Sequence, residues 1–126
     1  MFPKIVLIFF GLSFGAFGVW ALISPAALAN LIHLTPETPG ALTEIRAFYG
    51  GLEIGLAAFL LRGAFHRPWM SGALLTLVAV AGGIALGRCV GLALDSSVSN
   101  MMLGALVWEA AGAVLGTLAY LKLQAH

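Results

Sequence analysis

Charge is what this sequence has least of. Of its 126 residues 9% are charged and 61% are apolar, and there is one cysteine. Soluble domains carry about 25% charged and about 45–50% apolar residues. An ordinary water-soluble globule is therefore excluded, and so is a disordered chain. A single cysteine forms no internal disulfide, and a net charge of +1 offers no basic patch for nucleic acid. Histidine is also scarce: His33, His66 and His126 fall in connections or the tail, whereas a haem between helices needs them mid-span. There is no Glu-x-x-His repeat of the kind a ferritin-like metal bundle uses, no glycine-rich phosphate loop and no Ser–His–Asp set at one height. Cys89, next to Arg88, reads as a small packing residue. No metal, no cofactor and no catalytic residue is expected.

What the sequence does have is long apolar runs. They extend from Ile5 to Ile23, from Ile45 to Leu61, from Trp69 to Leu94 and from Met101 to Leu121. A membrane span takes about 20 residues, so four fit. The runs are continuously apolar rather than alternating, which excludes a strand barrel. The expectation is an all-α fold: a single membrane domain over 1–126 with spans at about 5–23, 45–61, 69–94 and 101–121. The first run exceeds the about 7–15 apolar residues of a signal peptide, so a retained helix is expected.

The connection from Ser24 to Thr43 contains Pro25, Pro36, Pro39 and Gly40, so it is not one unbroken helix. A short helix on the membrane surface is expected at 26–34. Thr43 is expected to cap the second span, with Glu44 at the positive end of its dipole. The connections Arg62–Pro68 and Asp95–Asn100 are short, which predicts a four-transmembrane-helix up-down-up-down bundle. Lys4, Arg62, Arg67 and Lys122 all fall on one side of it. The opposite connections hold Glu37 and Asp95 and no Lys or Arg. Both N- and C-termini and the 62–68 loop are therefore expected in the cytoplasm, with the chain multi-pass in the cytoplasmic (inner) membrane.

Glycine and buried charge carry the rest. Gly11, Gly15 and Gly18, then Gly51 and Gly55, then Gly83, Gly87 and Gly91, then Gly112 and Gly116 recur at helical spacing. Small residues let helix backbones approach closely in lipid. Packing inside one bundle is favoured over a homodimer seam. Reflecting the chain about its turns puts Glu44, Arg46, Arg88 and Glu109 in one layer. Tyr49 and Glu53 follow Arg46 along one helix face, and Asp95 follows Arg88. Ionisable groups inside a membrane cost about 2.5–3.5 kcal/mol each and need partners or a function. Arg–carboxylate pairing is the expected solution. Glu109, beside Trp108, is the strongest single candidate, and Glu53 is expected to be a protonated side chain bonded to a backbone carbonyl rather than a proton relay.

Arg46-x-x-Tyr49-Gly50-Gly51-x-Glu53-x-Gly55, Gly82-Gly83-x-x-x-Gly87-Arg88-x-x-Gly91-x-x-x-Asp95 and Glu109 together resemble the domain-of-unknown-function 4345 family. These are small bacterial membrane proteins of four predicted helices, and the likeness runs over nearly the whole chain. Ser96 stands where glycine is common in that family. The resemblance implies an integral membrane protein without an assigned activity and supplies no substrate. Two readings remain open at this point. One is an accessory or interaction subunit, with the lipid bilayer, a larger membrane complex or a second copy as partner. The other is a bundle that binds a small ligand, a lipid, a quinone or a proton in the Arg88/Glu109 layer. A lipid- or quinone-directed enzyme is the weakest reading.

Overall fold

The computed structural model describes residues 1–95 and 98–125, the side chain of Pro39 excepted. Ser96 and His126 lie outside the described residues. The chain is helical: α1 (Phe2–Ile23), α2 (Pro25–Leu31), α3 (Pro39–Ile45), a π-helical stretch (Arg46–Gly51), α4 (Leu52–Phe65), α5 (Arg67–Asp95) and α6 (Asn100–Gln124). No strand occurs among the described residues. Four helices are long and apolar enough to cross a membrane: α1, the stretch Gly40–Phe65, α5 and α6. Two compact units emerge, Met1–Leu7 with Arg62–His126, and Ile8–Leu61.

In the Ile8–Leu61 unit, α1 packs on the second long helix through glycine. A methyl group at Gly11 would meet Leu61, at Gly15 Ala57, and at Gly18 Ile54, Glu53 and the Gly50 carbonyl oxygen. Partners descend along the chain as the α1 positions ascend, so the two segments run antiparallel. Gly50 in turn lies under Leu22. The end of this unit is a small core of Ala21, Leu28, Ala29 and Ile45, flanked by Ile32 and Leu42.

Local chemistry sets the breaks. Pro25 and Pro39 each begin a helix, where a missing N–H costs nothing. Helix α2 closes with His33 at φ 56 and the Leu34 N–H donating to the Ala29 carbonyl at 2.9 Å. This left-handed closure satisfies a carbonyl that the helix end would otherwise orphan.

The expected start of the second span needs correction. Thr38, not Thr43, is the cap: its side chain accepts from the Ala41 N–H at 3.3 Å, and Pro39 occupies the first helical turn. Thr43 and Glu44 consequently lie inside α3 and not at its entrance. The Thr-Pro pair is the sequence signal that marks this start.

The other unit is built on the α5–α6 hairpin, also antiparallel. Gly116 lies against Val78 and Leu77, and Gly82 faces Ala113. Gly63 fits only because it lacks a side chain, since a methyl there would collide with Ala73. Burial is confined to one end of the hairpin. Met70, Ala73, Leu74, Leu77 and Ala81 of α5 are buried, as are Gly112, Gly116 and Ala119 of α6. Between residues 82 and 111 none of the described residues is buried.

Candidate functional site

The open end of the α5–α6 hairpin holds an ion pair between Arg88 and Glu109. Arg88 Nε donates to Glu109 Oε2 at 2.9 Å, and its Nη2 donates to Oε1 at 2.6 Å. Two parallel bonds between a planar fork and a carboxylate make a strong, directional pair. The side chains are 27% and 11% exposed, so the pair is drier on the glutamate side. It links the two helices far from the packed end of the hairpin.

Asp95 lies on the same helix as Arg88, and both line a cavity of about 210 Å³ with Gly91, Leu92 and Met102. Helix α6 begins beside it, capped by Ser99, whose side chain accepts from the Met102 N–H at 3.2 Å. Pockets for small molecules typically enclose about 300–1,000 Å³, and this one falls below that range. Among the described residues, no group of three His, Cys, Asp or Glu side chains is placed to hold a metal. Cys89 is exposed and does not serve as the packing residue its size suggests.

The remaining candidates belong to the Ile8–Leu61 unit. Arg46 is not spent on a carboxylate there. Its Nε donates to the Leu22 carbonyl at 3.3 Å, capping the last turn of α1 across a tertiary contact. Tyr49 is exposed. Glu44 is exposed within α3. Glu53 is half-buried, with Oε2 fully shielded, and its Cβ backs the close approach at Gly18.

Arg46 and Tyr49 both sit in the π-helical stretch. A π segment closes i→i+5 bonds and adds a residue to the turn. The regular 3.6-residue spacing that aligns Arg46, Tyr49 and Glu53 on one face therefore does not hold across it. The stretch ends in the Gly50-Gly51 pair.

The model of the Domain of unknown function (DUF4345) family matches residues 2–120. The chain belongs to that family. Among curated proteins and solved structures, none matches it significantly. DUF4345 membership brings no activity with it, so any function must be argued from the geometry of the chain.

Proposed function

We propose that this DUF4345 protein is a small accessory subunit of the cytoplasmic membrane, and that it docks on a larger membrane complex through the open half of α5 and α6. In this reading the four long helices form one up-down-up-down bundle with both termini in the cytoplasm, as the distribution of Lys and Arg favours. The observation that carries the proposal is the bare glycine face. Beyond their own helical turn, Gly83, Gly87 and Gly104 have no atom of a described residue within 4 Å of where a methyl group would be. Glycine costs a helix about 1 kcal/mol relative to alanine, and a lipid-facing position gains nothing in return. A partner helix does gain, because small residues admit its backbone at close range. Ile84, Leu86, Val90, Val107 and Trp108 are exposed around these glycines and supply the apolar contact.

The ion pair supports the same reading. Arg88 and Glu109 answer each other's charge in bidentate geometry, so they hold the open half of the hairpin in shape for docking without requiring a bound anion.

Native mass spectrometry of the protein purified from its own membranes in mild detergent tests the proposal. A stoichiometric protein partner that is lost in Gly87→Leu, while the helical fold is kept, is the expected outcome. A wild-type protein that always runs alone overturns it. One observation favours a second reading, a small polar ligand: the cavity between Arg88 and Asp95. A stoichiometric small-molecule adduct lost in Arg88→Gln would establish that reading instead.

A further inference from the structure

At the packed end of the α5–α6 unit, opposite the ion pair, three cations surround one cavity. The cavity encloses about 420 Å³ and is lined by Lys4, Phe65, Arg67, Met70, Lys122 and Leu123, among others. That volume lies within the range of small-molecule sites, about 300–1,000 Å³. The cations come from three helices: α1, the start of α5 and the end of α6. Two of them rest on aromatic rings. Lys4 Nζ lies 4.7 Å from the centre of the Phe65 ring, and Lys122 Nζ lies 5.7 Å from that of Phe2. Such seats hold an ammonium in place without neutralising it.

Among the described residues of this unit, no carboxylate side chain pairs with the three charges of Lys4, Arg67 and Lys122. Asp95 and Glu109 are the unit's acidic residues. Glu109 is about 20 Å from Lys122 along α6, and Asp95 about 40 Å from Arg67 along α5, at 1.5 Å per residue. Membrane orientation asks only that positive charges lie on one side. It does not ask that three of them converge on a single cavity, and Arg62 serves orientation from outside it, with its guanidinium 5.9 Å from the Trp69 ring centre.

The geometry points to a binding site for a phosphate-bearing anion, supplied by the headgroup of an anionic phospholipid, between Lys4, Arg67 and Lys122. The cavity walls Met70, Phe65 and Leu123 are apolar and continue into the membrane-spanning helices, as an acyl chain below a headgroup requires. Basic pockets between helices on the cytoplasmic side take lipid phosphates in this way. The site shares with the docking proposal only its membrane location. It lies at the other end of the hairpin, so either can fail without the other.

The test uses the full chain in detergent, titrated with phosphatidylglycerol or phosphatidylcholine of the same acyl chains and read by native mass spectrometry. Three cations, at about fivefold each, predict a preference for phosphatidylglycerol on the order of a hundredfold. Arg67→Gln and Lys122→Gln should each cut that preference about fivefold. Arg67→Lys, which keeps the charge, should retain it, and so should Arg62→Gln, which removes a charge outside the cavity. Equal retention of the two lipids by the wild type overturns the proposal. So does an Arg62→Gln loss as large as that of Arg67→Gln, which would mean diffuse attraction and no site. Displacement of phosphatidylglycerol by millimolar inorganic phosphate assigns the cavity to soluble phosphate and overturns the lipid assignment.

Discussion

Helices α1 and α5 carry glycine at similar spacing and use it in opposite ways. On α1, Gly11, Gly15 and Gly18 are filled by Leu61, Ala57, Ile54 and the backbone of Gly50. On α5, Gly83 and Gly87 face open space. The same motif thus closes one helix pair tightly and leaves another surface unfinished. What differs is the partner: α1 is met by Ala57 and Gly50, small residues in register, while Gly83 and Gly87 have nothing in register among the described residues of their own unit. A glycine pattern shows that a close approach is possible, and the facing residues decide whether it happens within the chain.

The largest effect should come from breaking the closed stripe. In Gly18→Leu even the first carbon would sit 2.9 Å from the Gly50 carbonyl oxygen, and backbone does not step aside cheaply. A loss of about 3 kcal/mol is expected, the upper end of overpacking costs. Thermal unfolding in detergent should show it, or the variant should fail to accumulate. Gly87→Leu, by contrast, should lose no stability. If both variants lose stability equally, the two stripes are alike and the comparison collapses.

The open half depends on its ion pair, which suggests the next effect. Removing one partner of a buried pair costs about 3–5 kcal/mol. Arg88 keeps 27% of its side-chain surface exposed, so Glu109→Gln should cost less, about 2 kcal/mol. Replacing Arg88 and Glu109 together by leucine should recover most of that loss, because no charge is then stranded. A double variant worse than either single one would show that the pair does more than answer its own charges.

A smaller effect separates two threonines that look alike in the sequence: both stand near the start of helical sequence and both have a side chain able to cap. Thr38→Ala should cost about 1 kcal/mol by removing the bond to the Ala41 N–H. Thr43→Ala, exposed inside α3, should cost nothing and gain a few tenths, because alanine is the better helix former. Equal losses in chemical unfolding would put the helix start back at Thr43.

These residues also mark how far the sequence could be read. The four long helices were legible because an apolar run of that length has few alternatives. The Arg88–Glu109 pair was legible because a short turn fixes the heights of two antiparallel helices to within a turn. Reflection about 97–98 placed Glu109 opposite position 86, two residues from Arg88. The start at Thr38 was missed because the apolar pattern of the span begins later, at Ile45, and apolarity outweighed the Thr-Pro signal. Arg46 was expected among carboxylates, yet it donates to the Leu22 carbonyl. A backbone acceptor has no sequence signature. The π-helical stretch escaped for a related reason: one added residue changes which side chains share a face without changing composition.

The smallest expected effect has the opposite sign. Gly87→Ala adds a methyl group to open space and removes the entropic cost of glycine in a helix, so the isolated protein should gain about 0.5–1 kcal/mol. The same methyl lies where a partner backbone is proposed to approach, so the variant should bind its complex more weakly than the wild type. Stability and association should therefore move in opposite directions in one substitution. Unfolding of the purified variant gives the first, and recovery of the partner from native membranes gives the second. A variant that is more stable and equally well bound would show that α5 keeps its glycine face for something other than a helix at close range.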